Sequence, residues 1–330
     1  MNSTSFVVFL IIAGVFQILM GANDGGVLLG SIISTNVIHP LFGVILLFLS
    51  LTVAPLIFGT EVVKTLGTKI VPIQFITLPM LYGAIIATMT WVIIAQRIKY
   101  PVSISYTFVG ALVGSAIARK VHTQINTIEV LKVFGGLVAS IAIGLIVSYI
   151  VTKIFNLILR YLSPKVSPVF KLLQVISSLF LVMGYGANDA EKTLSLVYTA
   201  SLITQSNFAP NPKNIFVISL LSLLFIIGTL LFGANSLLTS GFRLMKSNPK
   251  ETFLAQTITS ATVLTFARFG LPVSSTETLN MSVVGIGVAE KPHAVRYNVV
   301  KNLVLTWLVT VPASILLSYG ISTIFITILK

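Results

Sequence analysis

Twelve apolar stretches follow one another through this chain, near 5–20, 25–35, 40–60, 75–96, 101–119 and 128–152, then 172–185, 190–205, 214–232, 252–267, 272–289 and 302–327. A water-soluble domain carries about a quarter charged residues to solvate its surface. Here 9% are charged and 55% hydrophobic, with a mean hydropathy of +1.01. The expected class is an all-α polytopic membrane protein; the alternation of a β-barrel is absent. At roughly 20 residues per span, the chain has room for about ten to twelve segments, several too short to cross about 30 Å of hydrocarbon unaided. Ser5 to Met20 follows no Lys or Arg and precedes no clean cleavage site, so it reads as the first span and not as a signal peptide. The net charge of +13 comes from Lys and Arg scattered between apolar runs. That is the pattern of positive-inside loops and not of a nucleic-acid surface. With no cysteine, disulfides, thiolate metal sites and catalytic thiols are excluded.

One stretch breaks the apolar series. Residues 153–171 hold Lys153, Arg160, Lys165 and Lys171, no acid, and prolines at 164 and 168. This basic stretch is expected to be a cytoplasmic linker between a first transmembrane repeat, 1–152, and a second, 172–330. The two sides resemble each other. Gly21-Ala22-Asn23-Asp24 recurs as Gly186-Ala187-Asn188-Asp189, offset by 165. Phe58-Gly59 followed by Gly67 recurs as Phe232-Gly233 followed by Gly241, offset by 174. Pro101-Val102-Ser103 recurs as Pro272-Val273-Ser274, offset by 171, and Ser105, Thr107, Gly114 and Arg97 match Thr276, Thr278, Gly285 and Arg268. Repeated halves with interrupted apolar segments at corresponding places point to a secondary transporter whose site lies at the repeat interface. Whether the repeats are parallel or inverted depends on the parity of spans, which the short segments leave open.

Each Gly-Ala-Asn-Asp sits inside about 33 otherwise apolar residues, and a continuous helix of that length would measure about 50 Å. Gly followed by Asn-Asp reads as a break, with the carbonyls and amides of the break satisfied by protein or a polar cavity. Asp24 and Asp189 as mere N-caps are the bland alternative. Ser or Thr would cap without a carboxylate that costs about 2.5–3.5 kcal/mol to insert, so a matched pair points to cation ligation or a proton relay. Pro followed by hydroxyl residues reads as a helix start, whose free amides and dipole favour an anion. Ser103 and Thr107 share a helix face, as do Ser274 and Thr278; the alternative for these hydroxyls is back-bonding to carbonyls one turn earlier. Hydroxyls and helix N-termini suit a small oxyanion, yet two aspartates would repel one. The conflict disappears if cations bind between carboxylates and anion. Carboxylate, amide oxygen, hydroxyl and unwound-backbone carbonyl are hard ligands suited to Na⁺, and the cation would then be required for tight anion binding, the thermodynamic content of symport.

At these residues the chain resembles the inorganic phosphate transporter (PiT) family, whose members carry a GAND-type motif and a Pro-Val-Ser segment in each repeat. The likeness spans nearly the whole sequence, and Asn188-Asp189-Ala190 with Lys192 is especially characteristic. The resemblance implies two inverted structural repeats with broken or re-entrant helices meeting at a midplane site, cation-driven phosphate uptake, and a homodimer. The chain departs from the family in Gly25-Gly26, where many members have Val-Ala-Asn, and in Tyr106 and Glu277, where a His often follows the Ser/Thr pair. The missing His favours Na⁺ over a proton relay.

The reading is a Na⁺-coupled symporter of inorganic phosphate in the cytoplasmic membrane of a prokaryote, working by alternating access and needing no cofactor beyond the coupling ion. Asn23, Asp24, Asn188, Asp189, Ser103, Ser274 and Glu277 are expected around Na⁺. Ser105, Thr107, Ser275 and Thr276, with Asn23 and Asn188, are expected around phosphate. Proton coupling and sulfate transport are variants of the same architecture. An intramembrane aspartyl hydrolase is the rival of another class, but it lacks the Gly-x-Gly-Asp pattern and leaves the duplicated Pro-Val-Ser segment without a role. A passive anion channel is disfavoured by acids beside the path. Of the remaining polar residues, Glu61 and Lys64 read as a local ion pair. Gln17 reads as a ligand or a helix–helix hydrogen bond, and Glu191 as interfacial. Lys192 either approaches the anion or neutralises Asp189. His39, His122 and His293 are expected in solvent, and Arg97 and Arg268 to snorkel.

Overall fold

In the computed structural model, which describes residues 3–98, 102–159, 167–209, 211–234, 248–295 and 297–328, each of the twelve apolar stretches is a helix, and no strand occurs among the described residues. The first half runs α1 (Ser3–Met20), α2 (Gly26–Ile33), α3 (Pro40–Phe58), a single turn α4 (Glu61–Lys64), α5 (Leu78–Arg97), α6 (Ile104–Ala118) and α7 (Thr127–Leu159). The second runs α8 (Ser167–Asn188), α9 (Ala190–Thr204), α10 (Ile215–Phe232), α11 (Pro249–Arg268), α12 (Ser275–Glu290) and α13 (Tyr297–Ile328). Pro101, Arg160, Pro164, Lys165, Gly241 and Arg296 lie outside the described residues.

Local chemistry sets the starts and stops. Pro40 and Pro249 stand in the first turn of their helices, where a missing amide costs nothing. Asn214 accepts from the amides of Phe216 and Val217 at the start of α10. Asn248 and Glu251 form a reciprocal capping box at the start of α11. Asn248→Ala is therefore expected to lower stability by about 1 kcal/mol, read as a small drop in the melting temperature in detergent. Gly59 (φ +93°) and Gly270 (φ +70°) supply the left-handed residues after α3 and α11.

Both ends of the expected linker, 153–171, are helical: α7 continues to Leu159 and α8 starts at Ser167, and 160–166 lie outside the described residues. Lysine is a good helix former, and the Lys153 ammonium lies over the Tyr149 ring one turn back, 5.7 Å from its centroid, so a basic residue here does not end the helix.

Seven helices among the described residues are long and apolar enough to cross a membrane. Their outer faces carry exposed Ile11, Phe42, Leu131, Leu172, Leu231 and Leu308, as a lipid-facing surface requires. Helices α6 and α12 are different. At 15 and 16 residues they reach about 22–24 Å, short of the hydrocarbon thickness, and nearly every residue of both is buried. They form the centre, and the long helices wrap them.

The wrapping is reciprocal between halves. Helix α6 packs on α13 and α12 on α7, α5 on α13 and α11 on α7, α1 on α10 and α8 on α3. The crossings rest on small residues at matched positions. A Cβ on Gly114 of α6 would sit 2.3 Å from the Ile315 carbonyl oxygen, and one on Gly285 of α12 would sit 2.3 Å from that of Leu145. Such close backbone approach is how membrane helices gain packing where no hydrophobic drive acts between them.

Candidate functional site

The first Gly-Ala-Asn-Asp does not unwind the backbone. Residues Gly21–Gly25 form a π-helical turn between α1 and α2, and Met20, Gly25 and Gly26 keep right-handed helical dihedrals. A π turn adds one residue per turn and recurs at functional sites. The break expected here is thus a widened turn. Its glycines serve packing, because Cβ atoms on Gly21, Gly25 and Gly26 would lie within 2.0 Å of Phe225, Thr229 and Gly233 on or just beyond α10. That accounts for the Gly25-Gly26 departure. The Thr229 hydroxyl donates to the Gly21 carbonyl at 3.2 Å, satisfying a polar group of the irregular turn. In the second motif α8 ends at Asn188 and α9 begins at Ala190, with Asp189 between them still in a helical conformation. Neither carboxylate caps a helix: no side-chain cap bond forms at the start of α2 or α9.

The asparagines tie these turns to the Pro-Val-Ser segments. Asn23 donates to the Val102 carbonyl at 3.3 Å and to Asp24 at 2.9 Å, and accepts from Gln96 at 3.2 Å. Asn188 donates to the Leu271 carbonyl at 3.3 Å and accepts from the Val273 amide at 3.1 Å. Both amide groups are therefore occupied with protein in this state. They position the extended residues ahead of α6 and α12.

The N-termini of α6 and α12 meet at the centre. Ser103 donates to Ser274 at 3.0 Å, and Ser105 donates to the Val273 carbonyl at 2.9 Å. Thr276 lies 3.5 Å from Asp24 and 3.5 Å from Ser274. Ser275 donates to Asp189, whose other oxygen takes the Lys192 ammonium. Ten of the eleven residues expected around ions are joined in this cluster by hydrogen bonds, directly or through Val273; Glu277 follows Thr276 on α12, and all eleven but Asn23 are buried. Thr107 and Thr278 follow the back-bonding alternative, donating to the Ser103 and Ser274 carbonyls at 2.7 and 2.8 Å. The Thr107 proton is thus committed to its own helix. Thr278→Val should change activity at this site at most a few-fold, whereas Ser275→Ala, which strips Asp189 of a hydrogen bond, should cost ten-fold or more when the variants are assayed side by side.

Several flanking residues resolve between the readings left open. Lys192 neutralises Asp189. Gln17 accepts from Thr193 across α1 and α9. Glu191 is fully buried and not interfacial: its carboxylate accepts from the Val63 amide at 3.0 Å, fastening α4 to α9. Glu61 and Lys64 do pair. Glu277 is buried on α12, directly after Thr276, with one carboxylate oxygen lacking a hydrogen-bond partner. Sequence reasoning missed Gln96, Thr193 and Tyr185. Tyr185 is fully buried one turn before Asp189, and its helical spacing from that aspartate was the available signal.

Together the cluster offers two helix N-termini with hydroxyl donors facing each other, flanked by two carboxylates, one neutralised and one not. Such a place can hold a small oxyanion beside a cation. A family model described as "Phosphate transporter family" matches residues 20–166 and again 160–318. A "Probable low-affinity inorganic phosphate transporter" of Rhizobium meliloti (strain 1021) is 30% identical over 306 residues, 92% of this chain and 91% of that protein. Its namesake in Bacillus subtilis (strain 168) is 26% identical over 316 residues, covering 93% of each. A solved structure titled "The sodium-dependent phosphate transporter" superposes with a TM-score of 0.86 at 20% identity, covering 98% of this chain and 100% of that one.

Proposed function

Because the chain belongs to the phosphate transporter family, a family of transporters and not of enzymes, we propose that it takes up inorganic phosphate together with Na⁺ by alternating access. It is a multi-pass protein of the cell membrane. The observation that carries the coupling is the junction of α6 and α12, where Ser103 meets Ser274 beside Asp24, a buried carboxylate with no ion pair among the described residues. Phosphate at the two helix ends is repelled by that carboxylate until a cation offsets it, so anion and cation bind together. Ser105, Ser275 and Thr276 supply hydroxyls to the anion once it displaces their present partners. The solved relative titled as sodium-dependent shares the fold, which supports Na⁺ as the ion.

Two inverted repeats are part of the proposal. The reciprocal packing of α6 on α13 and α12 on α7 is what a two-fold pseudo-axis through the site produces, and rocking about it would expose the site to each side in turn. Assembly as a homodimer belongs to the same proposal and is read from the mass of the detergent-solubilised protein. The test of function is labelled phosphate uptake into proteoliposomes under an inward Na⁺ gradient, an inward H⁺ gradient, or neither, with unlabelled sulfate as competitor. Uptake driven by Na⁺ and resistant to sulfate is expected. Uptake that follows H⁺ alone, or that sulfate blocks, overturns the ion or the anion.

A further inference from the structure

We propose that the Lys192 ammonium is a built-in cation that permanently fills one of two pseudo-symmetric cation positions, leaving the Asp24–Glu277 side to bind the exchangeable coupling ion. The inference rests on the cation-coupled reading above and deepens it. Asp24 and Asp189 are equivalent by the 165-residue offset, and each lies at the turn behind its Asn, next to a hydroxyl of α12. Their charge environments differ. Asp189 has one oxygen on Lys192 and the other on Ser275. The position equivalent to Lys192 is Val27, a buried apolar residue, and Asp24 makes no ion pair among the described residues.

The second asymmetry runs the same way. Glu277 stands where the first half has Tyr106. It is 2% exposed, it directly follows Thr276, whose hydroxyl lies 3.5 Å from Asp24, and one of its carboxylate oxygens has no hydrogen-bond partner. Asp24 and Glu277 therefore have no cation in contact among the described residues, while Asp189 has a tethered ammonium in contact. A buried lysine at 1% side-chain exposure is retained only when paired. An ammonium cannot leave with the substrate, so the Asp189 side contributes binding charge to the anion but no ion to the transport stoichiometry.

The test counts bound ²²Na⁺ by equilibrium dialysis on the purified, monodisperse full chain, and reads the Na⁺ dependence of phosphate uptake in proteoliposomes. Lys192→Met vacates the Asp189 position and is expected to bind one more Na⁺ than the unmodified protein, with a steeper Na⁺ dependence of uptake. Lys192→Arg is expected to keep the original count. An unchanged count in folded Lys192→Met overturns the proposal. If Lys192→Met does not fold, the double variant Lys192→Met/Asp189→Asn removes both charges; a count equal to that of the unmodified protein supports the proposal, and loss of one Na⁺ overturns it. Failure of the Na⁺-coupling reading is separable. If the unmodified protein binds no Na⁺ and uptake follows H⁺, that reading falls, while the appearance of one Na⁺ site in Lys192→Met still supports the role of the lysine.

Discussion

Asp24→Asn is expected to abolish coupled phosphate uptake while leaving the protein as stable as before or more so. Asp24 is 2% exposed and carries no ion pair among the described residues, so without a bound cation its charge is desolvated, with hydrogen bonds from Asn23 and Thr276 as its contacts. Replacing it by an amide removes that cost. The same replacement removes the group that holds a cation against an incoming anion. At an effective dielectric of 20 two unit charges about 4 Å apart interact by about 4 kcal/mol, which corresponds to roughly a thousand-fold in affinity. Asp189→Asn is expected to behave differently. It strands the Lys192 ammonium in the interior, and breaking a buried pair in this way costs about 3–5 kcal/mol. The pair of variants is compared by melting temperature in detergent and by uptake: Asp24→Asn keeps its stability and loses transport, whereas Asp189→Asn loses stability as well.

Gly114→Val and Gly285→Val are expected to destabilise the protein strongly and by similar amounts. In each case the new side chain meets a backbone carbonyl oxygen 2.3 Å from the Cβ position, Ile315 for one and Leu145 for the other. Backbone cannot rotate aside as a side chain can, so α6 must separate from α13, or α12 from α7. Overpacking of this kind costs about 1–3 kcal/mol and occasionally more. Gly135 and Gly320 are the controls. Nothing lies within 4 Å of a Cβ at either, and alanine at an open helical position is expected to stabilise by up to about 1 kcal/mol. Thermal melts of the four purified variants check this. Equal losses at the matched pair and none at the controls are the expected pattern; a loss at only one of the matched glycines would contradict the reciprocal packing.

Much of this was legible in the sequence, because the signals are those lipid enforces. A backbone in hydrocarbon must be helical, so each of the twelve apolar stretches reappears as a helix, although α7, α8 and α13 run five or more residues past the expected ends. The repeat was legible because matched glycines and aspartates sit where equivalent crossings and equivalent turns need them. What was not legible depends on contacts between halves. Gly-Ala-Asn-Asp reads locally as a break, yet α10 lies so close to Gly21, Gly25 and Gly26 that a π turn survives. The turn after Gly59 and its fastening by Glu191 to α9 join residues more than a hundred positions apart. Thr107 looked like a ligand by face, but its hydroxyl has a carbonyl of its own helix at 2.7 Å. The two roles open to Lys192 could be told apart only by seeing where its ammonium points.

The central claim is that the junction of α6 and α12 holds phosphate only when a cation offsets Asp24. Equilibrium binding of ³²P-phosphate to the purified protein, in Na⁺ and in choline at equal ionic strength, tests it most directly. Saturable binding in Na⁺ that weakens ten-fold or more in choline, and that is lost in Asp24→Asn, is the predicted result. Equal binding in Na⁺ and choline would contradict it.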